Sequence, residues 1–569
     1  MGSFVSTEAP PSPTSPPSPA APSPWAAQPQ AAHPQGMALQ ATAPALMQAP
    51  VQAPVQAPWQ APMQAPWLPA AQLAVPPAPL SFQDDDPIAP AAGAAAASQA
   101  QPEPEVRAAG PLTIDARVEY RALPRGRAQD VFGIVTLQAA AAPPAAAGAA
   151  DEPRQPMDLI CVLDVSGSMS GEKLRLVQGA VRFVADESRP EDRLSLVTFN
   201  TSARRELRLR RMDGAGKNDA NIAALRLKAG GGTSIASGLE TALQVAEARR
   251  HRNPVSAILL LTDGQDSYGG SHARFGPLLA RAQRAGCALY AFGFGRDHDS
   301  QLLSTIAEQA KTPFTFVEDV DGIGAAFAGA IGGIASVAAQ RIEVTLQCNA
   351  ELKQLHTHFE SSVAGGRATV SIPDMLAGER RDVLVEMTVP AHAGADEEET
   401  LLLEASARYW DLAARGAAQT PAAQMRLRRT CEGEPQPEQE PDAEVTAQRH
   451  RVEVAQTLQA AASHGDAGRF GEAQQVLQAH EQRLRASPGG MTPISENLAL
   501  ELEDARNRMG SRSSWEAGGS AEVRDAMQMH SMQRTTNLNC SRATTTKKCS
   551  KSMYLTSAQS SWISKSKRG

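Results

Sequence analysis

The chain has 569 residues, including 42 prolines and 43 glycines, and a formal net charge of −7. A charge this small on a chain this long says little about partners, and we expect no nucleic acid among them. No apolar run is long enough to span a bilayer, and the N-terminus lacks the basic and apolar regions of a secretory signal. The six cysteines form no CxxC pair, which excludes a RING finger or another cysteine-rich zinc module and favours a reducing, cytoplasmic location.

Residues 1–108 form an arm rich in Pro, Ala and Gln, and residues 48–67 repeat the motif QAP-x with a period of four. Frequent proline removes backbone donors, so we expect this arm to be disordered or polyproline-like. It would serve either as a spacer or as a ligand for an aromatic groove. The first residues, MGSFVS, fit the N-myristoylation pattern with Gly2 as acceptor, and a single myristoyl group gives only weak membrane association.

Between residues 156 and 338, apolar strand-like runs alternate with amphipathic helices. The runs DLICVLD and VSAILLLTD are continuously apolar, as in strands buried on both faces. The segment RRELRLR (204–210) alternates leucine with charge, which is typical of an edge strand with one solvated face. The alternation predicts an α/β domain with a doubly wound, mostly parallel sheet.

The regions outside the predicted α/β domain differ from one another in composition and in hydrophobic pattern. Residues 339–430 have β-like alternation, and we expect them to form a β-sandwich together with the strand-like runs in 110–140. An acidic, Pro-rich linker is expected over 431–444 and a helical hairpin over 445–510. From Ser531 onward the chain is Ser/Thr-rich and carries basic residues without acids, and a disordered basic tail is expected over residues 511–569.

Side chains with oxygen atoms follow the apolar strands of the predicted α/β domain. The carboxyl ends of parallel strands meet at one edge of a sheet, where ligands bind in this class of fold. A triple glycine also allows a neighbouring loop to approach that edge closely. We therefore expect five side chains from these strand ends and this loop to converge: Asp164, Ser166, Ser168, Thr233 and Asp263.

Five hard oxygen donors without histidine or thiolate are typical of a site for Mg²⁺, or for Mn²⁺ or Ca²⁺. Only two of the five donors carry a formal charge, so the cation stays electrophilic. Mg²⁺ prefers six ligands, and the expected sixth is a carboxylate from an Asp or Glu of a partner protein. The pattern therefore predicts metal-dependent protein binding and not an enzyme.

The arrangement D-x-S-x-S, then Thr, then Asp after an apolar strand resembles the metal-ion-dependent adhesion site of von Willebrand factor A domains, and it matches at all five positions. The stretches RRMDGAGK, GGTSIASGL and ILLLTDGQDSY are similar to plant ubiquitin ligases that join a RING finger to a von Willebrand A domain, known for wavy root growth. This resemblance covers roughly residues 110–515. Those ligases carry a cysteine-rich RING upstream, whereas no cysteine precedes Cys161 here. The resemblance therefore implies the partner-binding half and not the ligase half.

Catalytic interpretations find little support in the motifs. GAGKN lacks the complete phosphate-loop pattern, and GSMSG is not a nucleophile elbow because residue 169 is Met. Asp266, His272 and His298 are the remaining candidate bases in polar loops. Two other functions stay open: an adaptor or pseudo-ligase that recruits a RING partner and ubiquitin machinery in trans, and a structural scaffold with a vestigial site.

Overall fold

The structure is a computed structural model. It describes residues 82–88, 107, 110–142, 154–267, 272–296, 298–391, 399–430, 440–487, 492–535 and 551–568. Gly2, the QAP-x repeat and most of the predicted acidic linker lie outside the described residues, so what we expect of them stays a prediction.

Among the described residues, three strands precede the α/β region: β1 (Leu112–Val118), β2 (Ala122–Pro124) and β3 (Gln129–Ala139). The α/β region has six strands: β4 (Met157–Asp164), β5 (Arg193–Phe199), β6 (Ala203–Arg211), β7 (Val255–Thr262), β8 (Ala288–Phe294) and β9 (Phe314–Val317). They form one sheet in the order β6-β5-β4-β7-β8-β9, and every neighbouring pair is parallel except β5 with β6. The expected edge strand is therefore confirmed as β6.

Six helices cover the two faces of this sheet: α1 (Glu172–Glu187), α2 (Gly214–Leu225), α3 (Ile235–Ala248), α4 (Phe275–Arg284), α5 (Ser300–Ala310) and α6 (Ile323–Ala335). Alternate residues of β4 point to opposite faces, as the two-residue period of a strand requires. Leu159 and Leu163 pack with α1, α2 and α6, whereas Ile160 and Val162 pack with α3, α4 and α5. Because β4 is buried on both faces, the doubly wound prediction is confirmed.

The region after α6 supplies eight further strands: β10 (Val337–Cys348), β11 (Glu351–His356), β12 (Glu360–Ala364), β13 (Arg367–Leu376), β14 (Arg380–Val389), β15 (Glu399–Asp411), β16 (Gly416–Gln419) and β17 (Ala423–Thr430). One sheet has the order β1-β3-β14-β11, and the other β12-β13-β10-β15-β17-β2 with β16 on β15. Val135 and Val385 from the first sheet share a core with Val344 and Leu403 from the second. The expected sandwich, built from strands on both sides of the α/β domain, is confirmed.

Helices dominate the C-terminal region: α7 (Ala443–Asp466), α8 (Phe470–Arg485), α9 (Pro493–Arg508), the one-turn α10 (Arg512–Ser514), α11 (Ser520–Met532) and α12 (Ser557–Ser566). Leu458, Leu477 and Leu498 bring α7, α8 and α9 together in one apolar core, which extends the expected hairpin by a helix. No helix in the described part of the chain combines the length and the apolar character needed to cross a bilayer.

The expectation of a disordered tail over 511–569 is wrong for its described residues, 511–535 and 551–568. On α12, the ring of Trp562 meets that of Phe183 on α1 edge-on, with 6.2 Å between centroids. Lys551 pairs with Asp525 at 2.6 Å, and Arg534 pairs with Glu379 at 2.7 Å. Asp525 lies within the predicted tail itself, whereas Glu379 lies 155 positions before Arg534, so local composition could not show the second pair.

The expectation of a disordered arm is also wrong over residues 82–88. This segment lies against β6, where the Asp86 backbone N–H donates to the Leu209 carbonyl at 2.9 Å. Its three consecutive aspartates lie beside arginines of the α/β domain. Long-range ion pairs therefore order a segment that composition alone assigned to the arm.

We expect Leu260→Ala to lower the free energy of unfolding by about 2–5 kcal/mol, because it leaves a cavity in a packed core. Leu260 lies on β7 and is 0% exposed, whereas Leu225 on α2 is 60% exposed. The matched control Leu225→Ala should change stability by less than about 0.5 kcal/mol. Urea unfolding of both variants measures the difference, and equal effects would contradict the placement of β7 at the centre of the sheet.

Candidate metal centre

Two buried carboxylates lie at the carboxyl edge of the central strands. Asp164 is the last residue of β4, and Asp263 directly follows β7. The two strands are parallel neighbours, with Leu163 paired to Leu261, so both carboxylates reach the same edge. Asp164 is 0% exposed and Asp263 is 1% exposed. The structure therefore brings these two predicted residues together at the predicted place.

Asp164 is held by hydrogen bonds from two neighbouring strand ends. The Ser166 backbone N–H donates to Oδ1 at 2.8 Å, and the Thr262 hydroxyl donates to Oδ2 at 2.5 Å. Burial raises the pKa of Asp164 above its ordinary value, and these hydrogen bonds offset only part of that shift. An ionised Asp164 therefore gains from any cation that reaches this edge.

A chain of hydroxyls connects the two sides of the site. The Ser166 and Ser168 hydroxyl oxygens are 3.0 Å apart, and the Ser168 hydroxyl donates to Asp263 Oδ1 at 2.7 Å. The other oxygen of Asp263 accepts from the Lys173 ammonium at 2.5 Å. The ammonium of Lys173, at the start of α1, thus already forms an ion pair with the buried carboxylate of Asp263.

The glycine loop before α3 brings Thr233 to the same edge. The Gly230 N–H donates to the Val165 carbonyl at 2.8 Å, and the Gly167 N–H donates to the Gly231 carbonyl at 3.0 Å. Gly231 has a φ of +83°, which L residues with side chains rarely adopt. A Cβ placed on Gly264 would lie 3.2 Å from the Thr233 hydroxyl oxygen and 3.7 Å from that of Ser168. The two hydroxyls therefore face one point, and all five predicted residues lie together.

Sequence reasoning missed two contributors, Thr262 and Lys173. Thr262 is the one polar residue inside the apolar run ILLLTD before the aspartate, and that interruption was a usable signal. Lys173 lies five positions after Ser168, in the first turn of α1, where the helix dipole disfavours a cation. A lysine at that position is better explained by a neighbouring carboxylate, and Asp263 supplies one at 2.5 Å.

The donor chemistry of this edge fits a hard divalent cation. It combines two buried carboxylates with three hydroxyls, which are ligands that Mg²⁺, Mn²⁺ and Ca²⁺ accept. Elsewhere, no cluster of three or more His, Cys, Asp or Glu side chains suited to a metal occurs among the residues with described positions. A softer or more highly charged metal site is therefore not an alternative within that part of the chain.

Two of the three candidate bases have structural partners. Asp266 accepts from the Ile235 N–H at 3.3 Å and pairs with Arg274, so it caps α3 and fixes the loop. His298 is buried, and burial lowers its pKa to about 4. Its Nδ1 lies 2.9 Å from the Gly295 carbonyl oxygen, which places the proton on Nδ1. The side chain of His272 lies outside the described residues.

Comparison with known families assigns the domain that carries this edge. A family model for the von Willebrand factor type A domain matches residues 158–328. The chain therefore contains a von Willebrand factor type A domain, and the resemblance inferred from the sequence is confirmed at that level.

Two curated relatives come from Arabidopsis thaliana. E3 ubiquitin-protein ligase WAV3 is 33% identical over 262 residues, covering 42% of this chain and 32% of that protein. E3 ubiquitin-protein ligase WAVH1 is 28% identical over 306 residues, covering 49% of this chain and 39% of that protein. The chain thus spans between about a third and two fifths of the length of these relatives. The distant similarity to the wavy-growth ligases is confirmed over about half the chain.

A solved structure shows the same architecture over a larger part of the chain. The von Willebrand factor type A protein from Catenulispora acidiphila superposes with a TM-score of 0.55 at 17% identity, covering 76% of this chain and 98% of that one. At this identity the likeness shows the fold alone.

We expect Lys173→Met to destabilise the metal-free protein by about 1–3 kcal/mol, because it removes a charged hydrogen bond from a buried carboxylate. The side chain of Asp263 is 0% exposed, whereas that of Asp115, which pairs with Arg117 at 3.0 Å, is 61% exposed. The control Arg117→Met should therefore cost less than about 1 kcal/mol. Urea unfolding in EDTA measures both, and a Lys173 effect no larger than the control would contradict the buried ion pair.

The lowered pKa of His298 predicts that the protein loses stability in mild acid. Its pKa is lowered from 6.5 to about 4 in the folded state, so the unfolded chain binds the proton first as pH falls. The free energy of unfolding should therefore drop between pH 6.5 and pH 4 by up to about 3 kcal/mol from this residue. His298→Asn should flatten that drop in unfolding curves recorded across the window. The exposed His251→Asn serves as control, and the same slope for both variants would show that folding does not lower the pKa of His298.

Proposed function

We propose that this von Willebrand factor type A domain binds a divalent cation at the edge formed by β4 and β7, and that the bound cation captures a carboxylate of a partner protein. The observation that carries the proposal is the meeting of two buried carboxylates with three hydroxyls at one sheet edge. Structural sites seldom bury two carboxylates side by side unless something positive lies between them.

Each side chain has a distinct role in the proposed site. The hydroxyls of Ser166, Ser168 and Thr233 supply neutral oxygens. Asp164 and Asp263 supply the negative charge, either directly or through water. The two carboxylates formally balance a divalent cation, and the three hydroxyls are weak donors that leave it electrophilic. The remaining coordination position then favours an Asp or Glu side chain of the partner.

A metal ion that binds at this edge has to displace Lys173 from Asp263. The Lys173 ammonium already neutralises Asp263, so an arriving cation competes with it for the same carboxylate. The Lys173 side chain is 26% exposed, so a short rotation carries the ammonium into solvent. Mg²⁺ is the preferred candidate because hard oxygens suit it, with Mn²⁺ and Ca²⁺ as close alternatives.

We propose binding and not catalysis for this site. Asp266, the nearest candidate base, is engaged with Ile235 and Arg274. The ring of His298 lies between the aromatic rings of Phe314 and Phe316, with centroids 5.9 Å and 5.4 Å away. A base that is buried and paired in this way is poorly placed to activate water at the metal edge.

A second candidate function follows from the similarity to WAV3 and WAVH1, which are named as E3 ubiquitin-protein ligases. The chain has no CxxC pair from which a RING finger could be built. An adaptor or pseudo-ligase that recruits a RING partner in trans would share the binding half with those relatives. Co-capture of ubiquitin-transfer enzymes distinguishes this function from general protein binding.

Metal binding predicts a specific stabilisation of the full chain. At a Mg²⁺ concentration 100 times the dissociation constant, the free energy of unfolding should rise by about 2.7 kcal/mol. Asp164→Asn keeps the shape of the side chain and removes its charge, so it should abolish this rise. Asp115→Asn, on the exposed face of β1, should leave the rise unchanged. Thermal unfolding with Mg²⁺ and with EDTA makes the measurement, and an equal rise in wild type and Asp164→Asn would place any metal elsewhere.

Partner capture tests the metal bridge itself. The full chain, as wild type and as Asp263→Ala, is used as bait in a native lysate with Mg²⁺ or with EDTA. We expect a set of proteins that bind wild type in Mg²⁺ and are lost on either change, because the cation needs both carboxylates. Partners indifferent to both changes would move the binding function to another surface. Asp115→Asn is the matched control.

A further inference from the structure

The acidic segment 82–88 docks on an arginine-lined surface that runs along β6 to the amino end of the sheet. It lies along the edge strand β6, where the Asp86 N–H donates to the Leu209 carbonyl at 2.9 Å and the Arg211 N–H donates to Asp86 Oδ2 at 3.0 Å. Five consecutive residues, Phe82 to Asp86, make contacts with the α/β domain, as a bound peptide would.

Two arginines of β6 bind the first half of the segment. Arg205 forms two parallel hydrogen bonds with the Asp84 carboxylate, at 2.6 Å and 2.7 Å, and these hold the pKa of Asp84 below its usual range. The guanidinium of Arg205 also stacks over the ring of Phe82, with 4.1 Å to its centroid. Arg208 donates to the Asp84 carbonyl oxygen at 2.7 Å. This fork geometry selects a carboxylate two positions after an aromatic ring.

Asp85, the middle aspartate of the segment, pairs with a buried cluster of charged side chains. Arg193 and Arg249 both donate to Asp158 at 2.8 Å, and Arg193 also donates to Asp85 at 2.9 Å. Arg193, Arg249 and Asp158 are at most 6% exposed. Without Asp85, this cluster has two guanidiniums and one carboxylate. The carboxylate of Asp85 supplies the second negative charge. The cluster is therefore neutral only when an acidic group from outside the α/β domain binds to it.

The buried part of this surface, around Arg193 and Asp158, is separate from the candidate metal centre, whereas Arg205 pairs with Val197 nearer the carboxyl end of the sheet. Asp158 and Asp164 lie near opposite ends of β4, six residues apart and so about 20 Å apart along the strand. Asp158 is at the amino end of the sheet, and Asp164 is at the carboxyl end.

We propose that the surface formed by Arg193, Arg205, Arg208 and Arg250 is a receptor for a linear acidic peptide of the form Phe-x-Asp-Asp-Asp. The chain's own residues 82–88 occupy this receptor in cis, and a partner segment of the same chemistry binds when they are displaced. Two carboxylates and three main-chain carbonyls of the segment accept from arginine side chains, so recognition rests mainly on polar contacts. Phe82 adds one apolar contact with the core of the α/β domain.

The test uses a fluorescein-labelled peptide with the sequence of residues 82–88 and the full chain. The variant Phe82→Ala/Asp84→Asn/Asp86→Asn weakens the resident segment and retains Asp85, so Arg193 stays balanced. We expect the variant to bind the peptide at least tenfold more tightly than wild type in fluorescence anisotropy. Binding should be equal in Mg²⁺ and EDTA, should weaken with added salt, and should be absent for a peptide with three Asn in place of the three Asp.

Two further variants make the outcome decisive. Adding Arg205→Glu to the triple variant should abolish peptide binding, whereas Asp115→Asn/Glu360→Gln, which neutralises exposed acids elsewhere, should behave as wild type. A folded triple variant that binds no better than wild type would overturn the proposal and make the segment a fixed part of the fold. If the triple variant unfolds, Asp84→Asn alone replaces it, because that side chain is 47% exposed. A gain of several-fold is then expected, and no gain would again overturn the proposal.

Discussion

The ion pair between Lys173 and Asp263 is the interaction on which the carboxyl edge of the sheet depends. Parallel strands that are buried on both faces end in an environment with little water, and two of them end here in aspartates. Carboxylates in that position need hydrogen-bond donors and a positive charge. Thr262 and the Ser166 N–H supply donors to Asp164, and Lys173 supplies the charge to Asp263. The site is therefore a place where cations are stabilised, whichever cation occupies it.

Buried charges also need compensation at the amino end of the sheet, but there the excess charge is positive. There Arg193 and Arg249 are buried, and Asp158 balances only one of them. The second balancing carboxylate comes from Asp85, which lies 108 positions before Arg193 in the chain. Each end of the α/β domain thus presents buried charge whose compensation comes from outside the sheet. Both of the proposed binding sites rest on this compensation.

The sequence predicted most of what depends on local pattern. The apolar runs of β4 and β7, and the alternation of Leu and Arg in β6, specify the sheet directly. The five oxygen donors were predictable because strand ends and a glycine loop meet by topology. Segment 82–88 and the tail were not predictable in this way. Asp85 with Arg193, and Arg534 with Glu379, are pairs far apart in sequence, and low local hydrophobicity concealed them. The role of Lys173 was equally hidden, because its carboxylate partner Asp263 lies 90 positions further along the chain.

The sandwich is built from strands on both sides of the α/β domain, and this sets an order of events during synthesis. β3 spans Gln129–Ala139, and its partner β14 spans Arg380–Val389, with Val135 paired to Val383. At ribosomal rates of roughly 5–20 residues per second, β3 leaves the ribosome on the order of ten to fifty seconds before β14 exists. The α/β domain has time to fold in that interval, whereas Ile134, Val135 and Leu137, all 0% exposed in the finished protein, have no sheet to enter. The hairpin of β1 and β3 therefore keeps an uncovered apolar face until β14 and the second sheet have been made.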